Sequence, residues 1–252
     1  MIFGIVIFLI FSVYFCFVNI FKIKEIEVCG NNRYTKEEII EKINFKGEEN
    51  LVLYDSKDTK EKIEKNLPYI DNIEICKNMP NKLVLKVKES KPIAVFGNDD
   101  RFFIIDSSLK ILECIKEPNK EITTIIGLKV EKESIGSKLC FENKNQGTIL
   151  HELMCALQKN EILHSTNEIN IENTEKITFK YKERVDVILG SNHQIERKIA
   201  TAKEILENKM RNDECGELDL TFLPKDNKTY FKQEHRTMLS ILHSPSTFLF
   251  LS

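Results

Sequence analysis

An unbroken apolar run opens this chain and constrains everything after it. Residues 1–21 contain no charged side chain. At 1.5 Å of rise per residue they make a helix roughly 31 Å long, close to the ~30 Å hydrocarbon core of a bilayer. The run is apolar all round, which argues against a core helix that buries one face of a soluble domain. A cleaved secretory signal needs basic residues first, a shorter apolar core and a small-residue cleavage site. Here no Lys or Arg precedes the run, and its exit reads Val18-Asn19-Ile20-Phe21-Lys22. Val13, Tyr14 and Phe15 ahead of Cys16 are too bulky for a lipid-attachment site. The pattern predicts a retained transmembrane helix over 1–21. Lys22 and Lys24 draw the following segment toward the cytoplasm by the positive-inside rule, so the residues alone leave the orientation open.

Past residue 21 the 252-residue chain has room for two ordinary domains. With 37 basic and 39 acidic residues the formal net charge is −2, which gives no electrostatic footprint for nucleic acid. Of the seven cysteines, Cys16 falls in the membrane helix, and Cys29, Cys76, Cys114, Cys140, Cys155 and Cys215 are scattered singly with no Cys-x-x-Cys. That placement predicts small buried hydrophobes and not a disulfide framework.

In the first soluble unit Ile26 and Val28 alternate with charges, as in a half-buried strand, and Gly30-Asn31-Asn32 breaks it. Thr35 and Glu38 have the spacing of a capping box, opening a helix that carries Ile39, Ile40 and Ile43. A second helix is predicted over 59–66, stopped by Pro68. Ile73 and Ile75, then Leu83, Leu85 and Val87, alternate on either side of Met79-Pro80-Asn81 and read as a hairpin. The order is β-α-α-β-β, with two helices expected on one face of a three-stranded sheet. In the second unit strands are predicted over 92–96, 102–105, 110–112, 122–128, 168–171, 176–181, 185–189, 217–222 and 228–232. Helices are predicted over 148–163 and 194–209. Residues 233–252 shift toward Ser, Thr, Leu and Phe and read as a C-terminal tail, with disorder as one expectation.

Catalytic patterns fail on inspection. His151-Glu152-Leu153-Met154-Cys155 nearly matches the zinc-protease helix, which needs His at the fifth position and a third ligand elsewhere. No phosphate-binding loop and no Gly-x-Ser-x-Gly is present. No catalytic, cofactor-binding or metal site, and no small-molecule substrate, is expected. What remains is strand edges: 217–222 and 228–232 come late in the chain, and a terminal edge suits strand addition by a partner.

Taken in order, several short segments resemble the FtsQ/DivIB family of bacterial division proteins over about residues 1–232. Residues 21–28, Gly30-Asn31-Asn32-Arg33-Tyr34-Thr35 and Glu38-Ile39 look like the start of that family's POTRA domain. Leu67-Pro68-Tyr69-Ile70, Pro80-Asn81-Lys82-Leu83, Val87-Lys88-Glu89 and Lys91-Pro92-Ile93-Ala94 match its later part. Ile105-Asp106, Ile125-Ile126-Gly127-Leu128, Val187-Ile188-Leu189-Gly190, Lys198 and Leu218-Asp219-Leu220 echo its β-domain. The resemblance implies an α+β architecture: a transmembrane helix (1–21), a POTRA domain (22–90), a larger mixed β-domain with flanking helices (91–232) and a tail (233–252). It implies a single-pass, non-enzymatic scaffold of the cell membrane, N-terminus cytoplasmic, bulk outside, enriched at the division septum. A basic cytoplasmic segment is expected ahead of the helix. Implied partners are of the FtsL and DivIC/FtsB type, and the implied activity is control of septal peptidoglycan synthesis. The partner-binding positions it implies are Leu218, Asp219, Leu220, Thr221, Phe222, Tyr230 and Phe231, with Phe222 and Phe231 as aromatic anchors. Competing readings are a POTRA-containing export or envelope-assembly factor, an exported hydrolase and a membrane sensor.

Overall fold

The computed structural model describes residues 2–98, 100–118, 121–226, 228–233 and 247–251, and divides into two units, Met1–Lys91 and Pro92–Ser252. In the first, α1 (Ile2–Ile20) is a continuous apolar helix, long and apolar enough to cross a membrane. Its large side chains are exposed almost throughout, as a lipid-facing surface requires.

The small domain follows as β1 (Glu25–Cys29), α2 (Lys36–Lys42), α3 (Ser56–Asn66), β2 (Ile70–Asn78) and β3 (Lys82–Glu89). Its sheet order is β1-β3-β2, with β1 parallel and β2 antiparallel to β3. The capping box is formed: Thr35 Oγ1 accepts from the Glu38 N–H at 3.2 Å, and the Thr35 N–H donates to Glu38 Oε2 at 2.7 Å. α3 starts three residues earlier than its apolar spacing predicts, because Asp55 caps it by accepting from the N–H groups of Lys57 and Asp58 at 2.9 and 3.1 Å. Those two bonds hold the Asp55 carboxyl below its usual range. Ile39, Ile43, Ile63 and Leu67 on the helical side meet Ile26, Ile73, Leu83 and Leu85 from the sheet in one core. Gly30 sits at φ +83°, and a Cβ there would lie 2.2 Å from the Val87 carbonyl oxygen. Only glycine fits that approach.

The second unit is built on one ten-stranded mixed sheet. Its strands are β4 (Ala94–Asn98), β5 (Arg101–Ile105), β6 (Ile111–Ile115), β7 (Thr123–Ile126), β10 (Thr166–Asn170), β11 (Ile177–Tyr181), β12 (Val185–Gly190), β13 (Gly216–Asp219), β14 (Lys228–Gln233) and β15 (Thr247–Leu251). The order is β15-β14-β13-β12-β11-β10-β7-β4-β5-β6. A separate ribbon pairs β8 (Val130–Lys132) with β9 (Cys140–Phe141). Helices α4 (Lys144–Lys159) and α5 (Ile195–Glu204) contribute Leu150, Leu153, Leu157, Ile199 and Ala202 to the core shared with the sheet. α4 begins and ends four residues before the predicted span. Asn143 caps its start by accepting from the Asn145 N–H, and Glu161 turns left-handed just past its end. The predicted helix 194–209 is α5 followed by a π-type turn over Ile205–Lys209, in which the Met210 N–H reaches the Ile205 carbonyl.

Three expectations need correction. Residues 220–222 are not strand: β13 ends at Asp219, and Thr221 turns back, its N–H on Asp219 Oδ1 at 2.8 Å. Within the predicted tail, Thr247–Leu251 is a strand, while residues 234–246 and 252 lie outside those described. All seven cysteines are free thiols and none is buried. Cys155 shows why: it lies on the solvent side of α4, one position from the buried Met154.

Candidate partner-binding edge

The end of the large sheet holds all the sequence-predicted site residues, and strand alternation sorts them onto two faces. β13 runs parallel to β12 and antiparallel to β14, so Leu218 faces Phe231 and Asp219 faces Tyr230 across the ladder. Leu218, Leu220 and Phe231 are buried in the core. Phe231, expected as an anchor, therefore cannot meet a partner's side chains in this fold. On the opposite face one row reads Thr178, Ile188, Asp219, Tyr230, partnered strand to strand. Tyr230 is 37% exposed and Phe222, in the turn after β13, is 48% exposed. A second row on that face, Lys180, Asp186, Glu217 and Lys232, is charged, with Lys180 and Asp186 paired at 3.6 Å. Among the described residues, half of the exposed large hydrophobics of this unit (Phe222 and Tyr230, beside Ile126 and Ile135) stand at this end.

The Phe222 turn is held from below. Gly190 ends β12 at φ +68°, and Thr221 lies within 3.0 Å of where its Cβ would stand. Just beyond, the fully buried Lys198 of α5 donates to the carbonyls of Leu189 at 2.6 Å and Ser191 at 2.9 Å. Burial pushes the Lys198 amine below its ordinary value, and the negative charge of Asp219 opposes that. A shallow cavity of about 210 Å³ borders this cluster, lined by Glu175, Ser191, His193, Lys198, Thr221 and Phe222 among others. In the sequence Lys198 stands out only as one position of the family pattern. Its place three residues into α5, on the face with Ile195 and Ile199, is the signal that it turns inward.

The edge itself differs from expectation. β14 is not the last strand: β15 pairs antiparallel along it, from Lys228↔Leu251 to Lys232↔Thr247. The zinc-protease echo does not assemble either. Cys155 Sγ lies 3.9 Å from the His151 ring on an exposed face, and among the described residues no group of three His, Cys, Asp or Glu side chains could hold a metal ion.

With this geometry in hand, similarity to known proteins is decisive. The profile of the POTRA domain, FtsQ-type, matches residues 21–90. "Cell division protein DivIB" of Clostridium botulinum (strain Hall) is 31% identical over 204 residues, covering 80% of this chain and 79% of that protein. The chain belongs to the DivIB family of cell division proteins. A second family member, from Clostridium tetani, is 27% identical over 214 residues, covering 84% of this chain and 79% of its own length. The solved major extracytoplasmic domain of DivIB from Geobacillus stearothermophilus aligns with 50% of this chain and 99% of its own length at 16% identity and a TM-score of 0.32.

Proposed function

We propose that this chain is a membrane-anchored, non-enzymatic scaffold of the division machinery. It engages partners of the FtsL and DivIC/FtsB type and so takes part in controlling septal peptidoglycan synthesis. α1 is the single anchor, with its N-terminus cytoplasmic, the two soluble units outside, and the protein concentrated at the septum. Family membership supports the division role. The site is carried by one observation: an exposed aromatic pair, Phe222 and Tyr230, beside the terminal edge of a sheet whose other face is core. A partner strand that takes the place of β15 along β14 would remake its main-chain hydrogen bonds, and its side chains would meet Tyr230 and Phe222 on the open face. Leu218, Leu220, Thr221 and Phe231 support that surface from within or through the backbone.

The test is a titration of the full chain, in nanodiscs, with a DivIC-type ectodomain. Truncating one hot-spot aromatic costs about 2 kcal/mol or more, about 30-fold in Kd. Phe222→Ala combined with Tyr230→Ala is expected to weaken binding at least that much without changing the melting profile. An unchanged Kd removes the site. A diffuse membrane signal with no mid-cell band, from a fluorescent fusion in cells, removes the division scaffold itself.

A further inference from the structure

The small domain is tied to the last turn of its own anchor, and it is tied there by its most hydrophobic loop. The final carbonyls of a helix lack intrahelical donors. At the end of α1 two carbonyls take donors from the loop between α2 and α3: the Leu51 N–H bonds the carbonyl of Phe21, the residue just past the helix, at 2.7 Å, and Asn50 Nδ2 bonds the Phe17 carbonyl, which also accepts the Phe21 N–H, at 3.3 Å. The Ile23 N–H returns a bond to the Glu49 carbonyl at 2.9 Å. From the other side Lys77 Nζ donates to the carbonyls of Val52 and Tyr54 at 3.2 and 2.7 Å. Leu51 is buried, but the next two residues are not: Leu53 is 75% exposed and Val52 39%. The β2–β3 turn reaches the same place, since the Asn81 carbonyl accepts the Lys24 N–H at 2.9 Å, and its Met79 is 55% exposed.

Val52, Leu53 and Met79 are the exposed large hydrophobics of this unit outside α1, among the described residues. All three lie on the two loops that grip residues 21–25, where the chain leaves the helix. Leu53 is two residues from the Leu51 bond to Phe21, so it lies within about 7 Å of that point along the chain. The headgroup layer beside a ~30 Å core is itself several ångströms thick, which puts this tip at lipid depth once α1 spans. Neighbouring charges are mixed, Lys22, Lys24 and Lys46 against Glu25, Glu48 and Glu49. The contact is therefore apolar and does not demand an anionic lipid.

We propose that Val52, Leu53 and Met79 form a lipid-contacting tip that seats the small domain on the bilayer surface beside its own anchor. The inference rests on α1 being the anchor, and the test separates the two. The chain contains no Trp, so one introduced Trp reports alone. Leu53→Trp, Met79→Trp, Phe8→Trp (inside α1) and Ile135→Trp (in the second unit) are each placed in the full chain and reconstituted into phosphatidylcholine vesicles, with or without lipids brominated on the acyl chain. Trp at the tip is expected to emit at shorter wavelength than Trp at 135 and to lose about half its emission or more to brominated lipid, as interfacial burial of ~5–10 Å implies. Quenching at position 8 without quenching at 53 and 79 overturns the tip and leaves the anchor standing. A blue shift at 53 without bromine quenching assigns the surface to protein and overturns lipid contact. No quenching at position 8 overturns both.

Discussion

Replacing Gln146 by Leu removes one side chain that three backbone groups depend on. Gln146 is buried on α4; its Nε2 donates to the carbonyls of Gly127 at 2.9 Å and Ile171 at 3.0 Å, and its Oε1 accepts from the Lys129 N–H at 3.1 Å. It thereby ties α4 to the segments leaving β7 and β10. Leu keeps the volume and loses every bond. The Ile171 carbonyl is in buried surroundings and costs about 1–3 kcal/mol when orphaned; the two half-exposed groups rehydrate and cost about 0.5 kcal/mol each. The sum is about 2–4 kcal/mol, or roughly 30- to 700-fold in the local opening equilibrium. Hydrogen exchange of the full chain in detergent, read by mass spectrometry, should show protection falling by that factor in 123–130 and 166–171, with the small domain unchanged. Gln146→Glu is the companion. Its carboxylate faces two carbonyl oxygens, so its pKa is raised in the fold, and the lost protection should return as pH falls through that raised value. Protection within about threefold of wild type in the Leu variant would falsify the claim that these three bonds hold α4 in place.

Two further tests bear on the candidate edge. Burial lowers the Lys198 pKa, so the fold binds that proton less tightly than the unfolded chain does; its contribution to stability rises as pH climbs from the folded value toward the ordinary 10.5. Lys198→Met should abolish that rise in thermal melts taken over the same range, and parallel pH profiles for the two proteins would refute the assignment. Deleting residues 247–252 removes β15, and if a partner strand takes the side of β14 that β15 holds, the partner titration should tighten; unchanged or weaker binding argues that partners do not use that side.

What the sequence makes readable here is what neighbouring residues decide. The capping box at Thr35 and Glu38 and the alternation through Leu83, Leu85 and Val87 are local, and both stand in the structure as read. Boundaries slip where a polar cap outside the apolar pattern decides, as at Asp55 and Asn143. Cys155 misleads for a related reason: its apolar neighbours Met154 and Ala156 belong to the buried face of α4 while it faces solvent. The same period of two already separates Leu218 and Leu220 from Asp219 and Thr221, so the split of the candidate site into core and surface was present in the pattern. The cover on β14 was not, because no tight-turn signal follows Gln233 to announce a hairpin, and residues 247–251 carry no local sign of which strand they join.

That cover decides how the edge can work. Adjacent strands lie about 4.8 Å apart, so a partner added outside β15 would be about 10 Å from β14, with a whole strand between it and Tyr230. Contact with Tyr230 and Phe222 from a neighbouring strand therefore requires that β15 yield its place. Exchange is a cheaper process than opening a fresh edge in the middle of a sheet. The five register pairs from Lys228 to Lys232 are lost to β15 and remade with the incoming strand, so the main-chain hydrogen bonds nearly cancel and side chains decide the outcome. On this argument the exposed aromatics supply the preference for the partner, and β15 sets the threshold that a partner has to exceed.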